Sequence, residues 1–226
     1  IGYVIEQQLR NVLMAKDMDR GIISIITQVL VNKDDPAFEQ PTKPIGPFYT
    51  KEEAEQISSE TKAVFKEDAR GRGWRKVVAS PTPLVIFNRQ TIEKIAREGH
   101  IVIAVGGGGI PCFYVESNKL QGIDAVIDKD LASSLLASQI RADKLFILTD
   151  VPKVCINFNT PQEKSLDKMT IAEAKRYLEE GQFGEGSMAP KIRAAINFVE
   201  RSGKDTIITE STLLGVDGGG TRITIV

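Results

Sequence analysis

Apolar residues Val4, Ile5, Leu9, Val12 and Leu13 recur at helical spacing near the start of the chain and predict an amphipathic helix. Natural chains rarely open inside such a helix, and no initiator Met precedes it, so the sequence reads as one whose beginning is missing. Residues 22–31 are β-branched and almost continuously apolar, which predicts one strand covered on both faces. Further along, strand and helix patterns alternate. Residues 91–98, 130–140, 170–180 and 187–201 carry helical periodicity, and 101–105, 145–149, 206–209 and 222–226 read as strands. Thr170 with Glu173 three positions later fits a capping box at a helix start.

Between residues 34 and 83 the character changes. Pro36, Pro41, Pro44, Pro47, Pro81 and Pro83 bracket a charged helical piece, 51–61, followed by a basic stretch running through Arg70, Arg72, Trp74 and Arg75. Prolines hold the chain in extended or turn forms and are excluded from sheet interiors. The expectation is a protruding Pro-rich subdomain, or lid, inserted into an α/β body. The alternation outside it predicts a three-layer αβα sandwich with a mostly parallel central sheet.

Composition narrows the function classes. The chain has 226 residues, 42% hydrophobic, with 29 basic and 30 acidic side chains. That is enough chain for a sizeable core, and a net charge of −1 gives no support for nucleic acid or a membrane surface as the main partner. No stretch reaches the roughly 18 apolar residues of a membrane span, and no signal peptide is visible. Cys112 and Cys155 are too few for a disulfide framework and read as reduced, core-filling residues of an intracellular protein. His100 stands alone, so neither a His-based triad nor a His metal cluster can be built.

Three places carry candidate chemistry. The first is Gly106, Gly107, Gly108 and Gly109, which end an apolar strand. Such a loop can aim several N–H groups at a phosphate, or it can be a plain turn. It is no Walker sequence, since no Gly-Lys-Ser/Thr follows. The second is Asp128-Lys129-Asp130 at a helix start, where the carboxylates can hold a lysine or simply cap the helix. The third is Ser187-Met188-Ala189-Pro190-Lys191, with Ser187 as the expected N-cap and Lys191 in the first turn. A lysine there is electrostatically unfavourable unless an anion is nearby, although a snorkelling surface lysine is the bland reading. Thr149, Asp150 and Val151 end another strand, where a ribose contact and a turn cap are both open. Lys43 sits on the stiff Pro41–Pro44 segment and can reach over a site as part of a lid.

These motifs together resemble carbamate kinases of the amino acid kinase superfamily. The resemblance is carried by the Pro41-Thr42-Lys43-Pro44-Ile45-Gly46-Pro47-Phe48 block, Gly73-Trp74-Arg75, the glycine run with Ile110-Pro111, Ile127-Asp128-Lys129-Asp130-Leu131-Ala132, Leu148-Thr149-Asp150-Val151 and Gly186-Ser187-Met188. It implies reversible phosphoryl transfer between carbamoyl phosphate and ADP, giving carbamate and ATP, with Mg²⁺. It also implies a cytoplasmic homodimer used in fermentative arginine catabolism. Lys129 and Lys191 look like the lysines that neutralise the transferring phosphoryl group, and Asp130 or Asp128 like the carboxylate that organises them. Lys43 looks like the subdomain lysine reaching carbamoyl phosphate, and Thr149, Asp150, Val151, Met188 and Ser187 like nucleotide-pocket positions. No metal ligand is assigned to the protein, because Mg²⁺ would come with the nucleotide phosphates. The implied division is 1–143, a carbamate-binding lobe containing the subdomain at about 34–83, and 144–226, a nucleotide lobe. The family's Gly-Gly-Asn and Gly-Asn-Gly-Pro-Gln blocks would lie before Ile1, so unpaired strand edges are expected. Arg70 is an extra residue against the family pattern, and Ala79 and Ala189 depart from it. A catalytically silent nucleotide-binding protein and another amino acid kinase are the competing readings.

Overall fold

The computed structural model describes residues 1–68 and 71–226. Arg70, the extra arginine of the basic stretch, lies outside the described residues. The chain opens with α1 (Gly2–Ala15), β1 (Ile22–Ser24) and β2 (Gln28–Leu30), then β3 (Lys43–Tyr49), α2 (Lys51–Thr61), β4 (Val64–Glu67) and β5 (Trp74–Val78). Next come β6 (Val85–Ile86), α3 (Arg89–Arg97), β7 (Ile101–Ile103), β8 (Ile110–Tyr114), β9 (Leu120–Gly122) and α4 (Lys129–Gln139). The rest is β10 (Leu145–Thr149), the hairpin β11 (Val154–Ile156) and β12 (Lys164–Leu166), β13 (Lys168–Thr170), α5 (Ile171–Glu179), α6 (Met188–Ser202), β14 (Thr206–Glu210) and β15 (Thr221–Thr224).

Parallel pairs β1–β7, β2–β8, β10–β14 and β13–β15 make the centre of this α/β arrangement, with antiparallel neighbours such as β6, β9 and the β14–β15 pair beside them. β1 pairs with β7 alone among the described residues, which leaves it open along its other side.

The expected single strand over 22–31 is two strands. At the junction, Thr27 is buried, and its hydroxyl replaces the ladder: it donates to the Ile25 carbonyl and accepts the Val105 N–H at 3.0 Å. Val105 itself stands at φ 48° and ψ 29°, an uncommon place for a β-branched residue. The neighbouring strand therefore breaks at the same level, two residues short of the predicted 101–105. The chain turns there into the glycine run.

Two apolar clusters organise the packing. One gathers Val29, Val31, Ile86, Ile92, Val105, Ile127, Ala132, Leu135 and Leu136. The other is built around α6, whose Ile192, Ile196 and Val199 fall on one helical stripe and pack with Ile147, Val154, Met169, Ile208 and Ile223. Each such aliphatic side chain contributes about 1.5–3 kcal/mol of burial. The predicted first helix forms, yet none of its residues is buried; Tyr3, Val4, Val12 and Met14 face outward.

The segment between the prolines forms its own three-stranded antiparallel sheet, in the order β3–β5–β4, with α2 beside it. Thr50 and Glu53 close a capping box on α2, as Thr170 and Glu173 do on α5. Trp74 in β5 stands across from Tyr49 and Glu67. Arg72 lies over the Phe48 ring at 4.7 Å.

Candidate active site

The site is built on the start of α4. Asp128 is the N-cap, with extended backbone, and its Oδ1 accepts the N–H groups of Asp130 at 2.9 Å and Leu131 at 3.3 Å. Capping satisfies donors the first helical turn would otherwise leave bare. The other oxygen, Oδ2, accepts from Lys43 Nζ at 2.5 Å, from a residue 85 positions away. Burial alone would push the Asp128 carboxyl up. The Lys43 ammonium and the two helical N–H groups outweigh it and hold the carboxyl below its ordinary range.

Lys191 reaches the same turn from the side. Its Nζ donates to Asp130 Oδ2 at 3.0 Å, with both side chains about 15% exposed or less. Four residues along α4, Ser134 Oγ donates to the Ala194 carbonyl at 2.7 Å. The two contacts advance together along both chains, so α4 and α6 run side by side in the same direction. Ala132, Ala194 and Ala195, all fully buried, permit that close approach. Both helix N-termini therefore open at one place, and their dipoles add positive potential there. Lys129, the first helical residue of α4, is exposed and has no ion pair among the described residues. Lys43 and Lys191 each face one carboxylate, and the two helix starts add their own positive potential beside them.

The glycine run is tied to this turn by contact. A Cβ on Gly108 would stand 2.1 Å from the Ile127 carbonyl oxygen, and one on Gly109 would stand 2.5 Å from Val29 Cγ2. Both also have positive φ. Gly108 packs against Ile127, the residue before Asp128, and Gly109 against Val29 and Thr27. Gly106 and Gly107 have open space where side chains would stand, and both are exposed.

Residues 16–210 match the family model of the amino acid kinase family. The chain belongs to the amino acid kinase family. It is 53% identical over 211 residues to carbamate kinase 2 of Staphylococcus aureus, an alignment covering 92% of this chain and 67% of that protein. Carbamate kinase from Giardia lamblia bound to citric acid superposes with a TM-score of 0.90 at 42% identity, over 99% of this chain and 71% of that one. The same enzyme bound to AMP-PNP gives 0.85 at 43% identity, with the same coverage. Its place is on the carbamate kinase branch, and it spans about two thirds of the length of the curated relatives it matches.

In this amino acid kinase the remaining sequence-derived positions sit at the ends of β10 and α6. Thr149 closes β10 opposite Glu210 of β14, and its hydroxyl donates to Asp150 Oδ1 at 3.1 Å. Val151 is half-buried, and Met188 packs on the cluster around α6. No hydrogen bond or ion pair among the described residues joins Thr149, Asp150 or Val151 to the ammonium cluster. Ser187 does not cap α6: its side chain makes no N-cap hydrogen bond, its backbone is at φ −141° and ψ −76°, and its Oγ points back toward the Gly184 carbonyl at 3.5 Å. That corrects the cap expectation. The loop is instead pinned by Glu185, which accepts two hydrogen bonds from Arg193 at 2.7 and 2.8 Å. Hydrogen bonding from Arg193 holds the carboxyl of the exposed Glu185 below its usual range.

Two features escaped sequence reasoning. The Lys43–Asp128 pair joins residues with no periodic relation, and Glu185–Arg193 crosses a loop whose path the sequence does not reveal. Among the described residues no group of three or more His, Cys, Asp or Glu side chains could hold a metal. Both carboxylates of the cluster already face ammoniums, so the donor set does not fit a resident Mg²⁺. Cys112 is buried, and that burial pushes its thiol up and leaves it unreactive.

Proposed function

We propose that this chain carries out the carbamate kinase reaction: the phosphoryl group passes between carbamoyl phosphate and ADP, giving carbamate and ATP. The observation that carries the reading is the pairing of Lys43 with Asp128 and of Lys191 with Asp130 at the joined starts of α4 and α6, where Lys129 is the first residue of α4. Phosphoryl transfer requires little covalent work from a protein. It needs positioned positive charge where the equatorial phosphoryl oxygens gather negative charge. Here Lys191, held by Asp130, and Lys129 face that group. Lys43 reaches the carbamoyl phosphate, and the helix starts add N–H groups and dipole. The bond from phosphorus to the carbamate oxygen breaks as the bond to the ADP oxygen forms. Mg²⁺ belongs to the nucleotide substrate and reaches the site with it.

The reading extends to the nucleotide at Thr149, Asp150, Val151, Ser187 and Met188, supported by their place beyond strand and helix ends. It also extends to two lobes, 1–143 and 144–226, supported by the two apolar clusters. A cytoplasmic homodimer serving arginine catabolism belongs to the same proposal on family resemblance. No described helix is long and apolar enough to cross a membrane. The test is ATP formation from carbamoyl phosphate and ADP by the purified chain, followed with luciferase. Turnover supports the reading. A folded chain that binds AMP-PNP yet forms no ATP overturns it in favour of a silent nucleotide-binding protein.

A further inference from the structure

The two oxygens of Asp128 have separate tasks. Oδ1 is spent on the N–H groups of Asp130 and Leu131, which leaves Oδ2 for Lys43. Lys43 is the first residue of β3, in the three-stranded sheet that among the described residues shares no ladder with the other sheets. Across the ladder Lys43 faces Val78, and the next residue, Ala79, accepts the Val126 N–H at 3.0 Å. The sheet is therefore moored to residues 126–128 twice, once by backbone and once by charge. The Lys43 side chain remains 32% exposed while it is held by Asp128.

We propose that Asp128 is a positioning residue that presets Lys43 beside the start of α4 before the anionic phosphoryl donor arrives, and so governs affinity for that donor rather than for the nucleotide. A free lysine loses its rotamer freedom when it binds; one already held has lost it during folding. The identity of the donor as carbamoyl phosphate rests on the function proposed above, whereas the pairing does not.

The test uses Asp128→Asn, because Asn is as good an N-cap as Asp and removes only the charge. KM for carbamoyl phosphate is expected to rise about tenfold, with KM for ADP held within about twofold. Lys43→Ala should give a similar rise, and the double variant no more than the larger single effect, because the two act as one unit. A second measurement is independent of turnover: labelling with acetic anhydride, read by mass spectrometry as the ratio of Lys43 to the exposed Lys51. In Asp128→Asn that ratio should rise at least about threefold as the ammonium is released. An unchanged KM for carbamoyl phosphate, an equal rise in both KM values, or an unchanged labelling ratio overturns the proposal. A wild-type chain without turnover overturns the donor assignment alone, and the labelling ratio then decides the pairing.

Discussion

Lys191→Met separates catalytic charge from structural charge. Methionine keeps most of the stem and removes the ammonium, which stands 3.0 Å from Asp130 Oδ2 in a pair about 15% exposed or less. At an effective dielectric of about 20, two unit charges at that distance attract by about 5 kcal/mol before desolvation is counted. Desolvation offsets most of that gain in the resting protein. Breaking a fully buried pair costs about 3–5 kcal/mol, because a lone charge is left behind. Here Asp130 keeps the α4 N-terminus, worth about 0.3–1 kcal/mol, and its neighbour Lys129. A stability loss of about 2 kcal/mol is expected, or about 4–8 °C in Tm for a chain of this size. The transition state has no such substitute. Loss of one preorganised donor at a developing charge lowers kcat by about 10²–10³. The assay is ATP formation at saturating carbamoyl phosphate and ADP, run beside thermal unfolding of the same preparation. A kcat within tenfold of wild type, or a Tm loss far beyond 10 °C, would refute the reasoning by making Lys191 a structural residue.

The glycine run makes a paired prediction. Gly108→Ala should destabilise by about 3 kcal/mol or more, since its Cβ would meet the Ile127 carbonyl oxygen at 2.1 Å. Gly107→Ala, in open space at φ +69°, should cost only about 1–2 kcal/mol, and equal losses in urea unfolding would defeat the distinction. Thr221→Val removes a fully buried hydroxyl that accepts the Val154 N–H at 2.8 Å and donates to the Leu166 carbonyl, so about 2 kcal/mol should be lost. A change under about 0.5 kcal/mol would contradict the clamp. Glu185 has a lowered folded pKa, so its stabilisation is present above the unfolded value of about 4.3 and disappears as pH falls through the folded value. Glu185→Gln should therefore destabilise at pH 7 and match wild type below both values; a difference that grows toward acid would reverse the assignment.

Local signals were legible wherever one residue type does one job. The helix over 51–61 is Lys51–Thr61, and the strand over 145–149 is Leu145–Thr149. The Thr170–Glu173 capping box formed because both of its bonds lie within one turn. The strand over 22–31 misled because its apolar run conceals a polar hinge. The Thr27 hydroxyl accepts a backbone N–H from a residue 78 positions away, and no periodicity shows that. Ser187 failed as a cap for a related reason. Its backbone, at φ −141° and ψ −76°, is not that of an N-cap, and its Oγ turns back toward the Gly184 carbonyl, a geometry set by the path of the loop.

The site divides the same way. Lysines beside carboxylates at helix starts, a glycine run after a strand and a proline-bound lysine were all visible as types of chemistry, because charge, cap preference and backbone freedom belong to individual residues. Which lysine meets which carboxylate was decided only in three dimensions. α4 and α6 had to pack in the same direction through Ala132, Ala194 and Ala195 to bring Lys191 to Asp130, and β3 had to be moored at residues 126–128 to bring Lys43 to Asp128. Electrostatic partnership depends on distance through space, and distance along the chain carries almost no information about it.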